Sequence, residues 1–252
     1  MAERLERGGS KSSQVWIDYL TEDGSRFCSQ AEAADLAVDS LLPTRPFPIY
    51  KGQRHMPGLY WSVTTQGHVP HESQNELIAL MALDLDPTVV AIAAQPVRLR
   101  FPGGTVHHPD FLVACRGGER RLVDVTIEAR LSGSVKLAAT FEKTRRFCAA
   151  VGWEYAVVRD TDFDPLYVAN LRWFAGFKCE PPQCETIAKP LVEGAELPVA
   201  IGDLVEAVSA DRELVLPVLF HLVARGDLLV DFSRPLTLAT TVCRSRTSRG
   251  EG

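Results

Sequence analysis

Apolar residues recur along this chain with two different periods, and the switches between them outline the fold. Between Ser73 and Leu85, Leu77, Ile78, Leu80, Met81 and Leu85 fall at helical spacing, and Pro87 stops the run. Lys136 to Val151 predicts a second long helix, ended by Gly152. Elsewhere a period of two takes over. Gln14 to Tyr19 (QVWIDY) reads as a strand, TEDGS as a turn and Gln30 to Leu42 as a short helix. Residues 43–70 read as an aromatic-rich ordered loop with a strand-like patch, LYWSVTT. Val89 to Phe101 predicts one or two strands around Gln95-Pro96. Phe111 to Cys115 and Arg121 to Ile127 predict two strands joined by the turn RGGE, and Glu154 to Arg159 predicts another. Strands, helix and strand in this order make an α/β fold: a mixed sheet with helices packed on it.

After Pro181-Pro182 the pattern changes. Ile201 to Val208, Arg212 to Arg225 and Leu228 to Phe232 read as helix, helix and strand, with Gly226-Asp227 as the turn. That is the size and order of a small winged-helix-like module. The expected organisation is a strand/helix extension over 1–45, a main α/β domain over 46–180, the winged-helix-like domain over 181–243 and a disordered polar tail over 244–252.

Composition narrows the function classes. The 252 residues are 46% hydrophobic, enough for a core, yet no apolar run approaches the ~20 residues that span a bilayer. The opening MAERLERGGSKSS is charged with no apolar segment behind it, so no secretory signal is read and a cytoplasmic location is expected. A net charge of −5 argues against an autonomous, tight DNA binder, whose footprint is normally basic. If nucleic acid is the substrate, another protein helps to hold it. Cys28, Cys115, Cys148, Cys179, Cys184 and Cys243 lack the two tight ligand pairs of a zinc site and are read as reduced thiols.

The candidate chemistry begins in HHPDFLV, residues 107–113. Aspartate is depleted in strands, so Asp110 at the head of an apolar one is either exposed or used. On the next strand, in LVDVT, alternation sends Val123, Val125 and Ile127 to one face and Asp124 and Thr126 to the other. Carboxylates on adjacent strands can converge. Without a cation they repel and one is forced to protonate, a conflict that a divalent ion such as magnesium removes. A third acid, Glu76, lies in the first turn of the helix from Ser73. There a capping box with Ser73 and a metal role stand side by side. Likewise Asp110 could cap a turn, and Asp124 could sit on the solvent face of an edge strand.

The order acid on a helix, Pro-Asp on a strand and Asp-x-Thr on the paired strand resembles the PD-(D/E)xK nuclease pattern. FPIYKGQRHMPGLYWSVTT, ESQNELIALMALDLDPTVVAIAAQPV, HHPDFLV, LVDVT and CAAVGWEYAVV resemble the TnsA-like heteromeric transposase endonuclease subunits over most of residues 45–160. LVLPVLFHLVARGDLLVDFSRPLT resembles the C-terminal region of relatives in that family. The resemblance implies a restriction-endonuclease-like nuclease domain over 46–180. It also implies hydrolysis of DNA phosphodiesters at transposon ends, dependent on Mg2+ with Mn2+ as a substitute. Glu76, Asp110 and Asp124 would hold one or two ions. The implied partners are DNA, a DDE-type transposase and an AAA-type ATPase regulator, in a bacterial cytoplasm.

Thr126 departs from the pattern, which expects a lysine to orient water and offset developing charge. Lys136, Lys143 or Arg130 could supply that charge, the metals alone could suffice, or the chain could be a catalytically degenerate scaffold or targeting subunit. A stand-alone defence or repair nuclease is a further alternative. Lys136, Lys143 and Arg146 fall roughly on one side of their helix and could face phosphate or simply water. His107 and His108, flanking the acids, could contact phosphate or metal, but are read as structural or exposed. The Arg212–Arg225 helix is mostly apolar and suits protein contacts better than base readout.

Overall fold

The computed structural model describes residues 14–45 and 57–246 and is mixed α/β. The chain begins with β1 (Trp16–Thr21) and β2 (Gly24–Ser29), followed by 3-10 turns at Gln30–Asp35 and Val38–Ser40. Then come β3 (Gly58–Ser62), β4 (Gly67–His71), α1 (Gln74–Leu85), β5 (Val89–Ala94), β6 (Val97–Arg100) and β7 (Val106–His107). The centre is formed by β8 (Phe111–Cys115), β9 (Arg120–Thr126), α2 (Glu128–Ser132), α3 (Val135–Val151), β10 (Glu154–Arg159) and α4 (Pro165–Phe174). The last part holds α5 (Cys184–Gly194), β11 (Val199–Ala200), α6 (Ile201–Glu206), α7 (Arg212–Arg225), β12 (Leu228–Val230) and β13 (Thr241–Arg244).

Two four-stranded sheets, β10-β9-β8-β5 and β2-β1-β6-β7, share the chain at two crossings, from β5 into β6 and from β7 into β8. At the first crossing Gln95 takes a positive φ of 44°, a conformation that non-glycine residues rarely adopt, and Pro96 follows. At the second, Asp110 stands where β8 begins. One bond ties the crossings together, Gln95 N–H donating to the Asp110 carbonyl at 2.7 Å. A cleft lined by Asp110 lies beside this corner.

The central sheet is buried on both faces, as its apolar runs require. Phe111, Val113 and Val123 join one cluster with Leu80 of α1, Phe174 of α4 and Leu219 of α7. Leu112 and Leu122 join the other, with Ile17 of β1, Leu99 of β6 and Phe147 of α3. Burying a side chain of this size contributes roughly 1.5–3 kcal/mol, so slipping β8 by one residue would forfeit several such terms. The same cluster that covers α1 includes Leu191, Leu204 and Leu222, so the elements after Pro181-Pro182 share the core of those before them. They close with a three-stranded antiparallel sheet, β11-β13-β12.

Several elements differ from the expectation. Gln30 to Leu42 is two 3-10 turns rather than one helix. Leu36 and Ala37 are extended between them, which lets Leu36, Val38 and Leu41 reach the core. Within 43–70 the strand-like patch LYWSVTT coincides with β3, the loop reading misses its hairpin partner β4, and FPIYKGQRHM falls outside the described residues. The disorder expected from 244 does not hold at its first residues: Arg244 completes β13, and the buried Ser245 donates its N–H to the Asp227 carbonyl, while residues 247–252 fall outside the described residues. The N-terminal extension is integral, since β1 pairs with β6.

A buried ionic knot fastens α1 to the later chain. Asp84 accepts from Tyr60 Oη, Ser62 Oγ and the N–H groups of Val63 and Thr64, and pairs with Lys178 at 3.3 Å. Burial alone would raise the Asp84 carboxyl. The bonds from Ser62 and Thr64 and the Lys178 charge outweigh it and hold it below the ordinary value. Lys178 fares differently: burial dominates the Asp84 attraction and brings its ammonium down to about 8. A carboxylate shared among five donors supports its charge better than an ammonium with less hydration. Asp84→Ala should therefore strand a buried cation and cost about 3–5 kcal/mol in urea denaturation; a loss below about 1 kcal/mol would show that the knot is incidental.

Candidate functional site

The strand pairing dictates the site. β8 and β9 are antiparallel with Phe111 opposite Val123 and Leu112 opposite Leu122. Extended by one residue, this register sets Asp110 opposite Asp124 on the sheet face that carries Leu112 and Leu122. The Asp110 N–H donates to the Val123 carbonyl (3.1 Å), and Asp110 Oδ2 accepts from Val125 N–H (2.6 Å), fixing the side chain at the head of the strand. β9 is an interior strand and Asp124 is 2% exposed, which removes the edge-strand alternative for that residue.

Asp124 is oriented from two sides. His107 Nε2 donates to its Oδ2 at 2.8 Å, and Tyr155 Oη of β10 donates to the same oxygen. The Tyr155 hydroxyl is pushed far above the usual phenol range by burial and then by the Asp124 charge, so it remains a donor. Both bonds land on Oδ2, leaving Oδ1 as the oxygen for another ligand. A charge-assisted bond of this kind contributes roughly 1.5–3 kcal/mol.

Glu76 completes the group and also caps its helix. Ser73 Oγ accepts from Glu76 N–H (3.2 Å) and donates to Glu76 Oε1 (2.9 Å), while Glu76 Oε2 accepts from Glu72 N–H (2.7 Å). The capping reading of Glu76 is thus met, and each oxygen retains a lone pair after its single bond. Burial pushes its carboxyl above the ordinary value, against those two bonds.

All four candidate residues, Glu76, Asp110, Asp124 and Thr126, line one cleft of about 550 Å³ together with His107, His108, Arg45, Glu72 and Arg130. The Asp110 carboxyl is raised well above the carboxylate range, first by burial, then by the charges of Asp124 and Glu76. Burial, with the Arg45 and Arg98 charges, lowers His108, which favours its neutral form. Thr126 is buried, and its Oγ1 has no hydrogen-bond partner among the described residues. Glu72 Oε1 is likewise buried without one. Hard oxygen donors, mutually repelling carboxylates and orphaned oxygens on one cleft match the donor set of Mg2+ or Mn2+.

Of the three cations proposed to stand in for a lysine, Arg130 lines the cleft and makes no ion pair among the described residues. Lys143 Nζ instead donates to Thr105 Oγ1 (2.7 Å), and Lys136 is exposed on α3 away from the lining. Arg146 pairs with Glu142 (3.0 Å), which offsets part of the basic stripe. Sequence reasoning missed Arg45, which reaches Glu72 at 2.7 Å and Gln95 Oε1 at 3.0 Å, and Tyr155. The parallel pairing of β10 with β9 is what aims Tyr155 at Asp124.

Neither the protein-family models nor the curated proteins give a significant match to this chain.

The raised Asp110 carboxyl gives a pH dependence of defined sign. The folded, metal-free chain holds the Asp110 proton more tightly than the unfolded chain does. Its contribution to stability is complete below the ordinary carboxylate range and declines as pH rises through the raised value. Asp110→Asn still accepts from Val125 N–H but cannot ionise. In urea denaturation with chelator present, over about pH 4 to 8, the variant should lose less stability than the wild type as pH rises. Parallel curves would mean that Asp110 ionises freely.

Proposed function

We propose that this chain is a metal-dependent DNA endonuclease subunit of the TnsA-like kind, with a restriction-endonuclease-like core and a winged-helix-like C-terminal part. One observation carries the reading. Three carboxylates, from a helix N-terminus and two paired strands, line a single cleft, where burial and the charges of the other two raise the Asp110 carboxyl. Glu76, Asp110 and Asp124 would hold Mg2+ or Mn2+, which supplies charge stabilisation at a phosphodiester and a more acidic water.

The chain's own residues divide the remaining work. His107 and Tyr155 fix the Asp124 carboxylate by its Oδ2, and the Val125 N–H fixes that of Asp110, so their free oxygens are presented without reorganisation. The Thr126 hydroxyl, buried and unpartnered, can orient a water but carries no charge. Arg130, exposed on α2 at the rim, is the group that can offset negative charge on a phosphate. The acidic net charge and the apolar α7 are consistent with a subunit that depends on a transposase and an ATPase regulator to hold the DNA.

A second reading rests on Thr126 itself: with a hydroxyl where an ammonium is expected, the cleft could bind metal without cutting, and the chain would act as a scaffold. Nicking of supercoiled DNA in Mn2+ separates the two. The nuclease reading expects wild-type nicking, a loss of at least about 100-fold in Asp110→Ala and Asp124→Ala, and a loss of about 10- to 100-fold in Arg130→Ala. Equal nicking by all the proteins would refute the assignment of the site. Metal binding without nicking, also in the presence of the partner proteins, would establish the scaffold.

A further inference from the structure

A second group of ligand-type side chains lies away from the cleft, where the chain passes from α4 into α5. A carboxylate oxygen of Glu180, Sγ of Cys184 and a ring nitrogen of His221 lie within 4.8 Å of one another. Glu180 and Cys184 are four residues apart around Pro181-Pro182, and Cys184 N–H donates to the Pro181 carbonyl (3.0 Å), closing the turn. His221 comes from α7, far along the chain.

The imidazole is what distinguishes this group from a chance cluster. His221 is 3% exposed, and its Nδ1 lies 2.8 Å from the Phe177 carbonyl. A carbonyl accepts only from N–H, so Nδ1 carries the hydrogen and the neutral ring leaves a lone pair on Nε2. Nε2 is buried and has no hydrogen-bond partner among the described residues. An unsatisfied buried acceptor is costly. A histidine held by a backbone carbonyl through one nitrogen, with the other free, is the arrangement found behind metal-ligating imidazoles. Cys184 is itself buried and Glu180 exposed, which leaves a path to the site from solvent.

We propose that Glu180, Cys184 and His221 bind a zinc-type divalent cation, with solvent in the remaining position. One thiolate sulfur, one imidazole nitrogen and one carboxylate oxygen suit borderline-soft Zn2+ and disfavour the hard Mg2+ suited to the acidic cleft. Binding releases the Cys184 thiol proton to solvent. The ion would staple the turn at residues 178–184 to α7. The same turn supplies Lys178, whose ammonium pairs with Asp84 of α1, so the staple would reinforce the junction between the α1 side of the core and its C-terminal part. This departs from the expectation of six plain thiols. The ligands belong to segments 37 residues apart, and no second tight pair marks them in the sequence.

The test uses the full chain. Metal content of the purified protein should be one zinc per chain, and Co2+ in its place should give a thiolate-to-cobalt charge-transfer band. Cys184→Ser should abolish that band. Glu180→Gln, an exposed change that spares the core, should weaken Zn2+ binding by at least about 10-fold, the loss typical of even an outer-shell partner. Asp110→Asn should leave both unchanged. Chelation should lower the melting temperature of the wild type and of Asp110→Asn. No thiolate band in the wild type, or Zn2+ binding unchanged in Glu180→Gln, would overturn the proposal even if Cys184→Ser fails to fold.

Discussion

Asp110 and Asp124 face each other at the end of a buried antiparallel pair, and their repulsion constrains everything around them. The pairing cannot relieve it by slipping, because Phe111, Leu112, Leu122 and Val123 are all buried on one face or the other. A one-residue shift would exchange the two faces and carry a carboxylate into the apolar cluster shared with α1 and α7. Nor can Asp124 turn away, since His107 and Tyr155 hold it from two sides. The charge conflict is therefore built in, and it is resolved either by a proton on Asp110 or by a cation.

The surrounding architecture serves that geometry. The corner between the two sheets, with Gln95 at positive φ and bonded to the Asp110 carbonyl, ends the pairing where a cleft can open. The helix that packs over the other face brings Glu76 in at its first turn, where the cap and the cleft share one carboxylate. Its far end is tied through Asp84 to Lys178 and hence to the C-terminal elements. Both ends of α1 are thus fixed by polar contacts, while its middle is fixed by apolar packing.

Much of this was legible because the relevant signals are local. Alternation around Asp124 and Thr126 assigned their face correctly, and the Ser73–Glu76 spacing marked the start of α1. What escaped has physical causes. β2 (GSRFCS) buries only Cys28 and so shows little alternation. α4 opens with an Asp164 cap and Pro165, a readable signal that was overlooked, while α5 contains Pro190, which argues against a helix. The cleft acids could be named from strand order. Arg45, Tyr155 and the Glu180–Cys184–His221 group could not, because only tertiary pairing brings them to their partners.

The account rests on the claim that a cation replaces the proton on Asp110. Calorimetric titration of Mn2+ into the wild type and Asp110→Ala, in two buffers of different ionisation enthalpy, tests it most directly. The account predicts binding whose heat depends on the buffer, because a proton is released, and which disappears in Asp110→Ala. Absence of binding to a folded wild-type chain, or binding of equal strength to the variant, would contradict it.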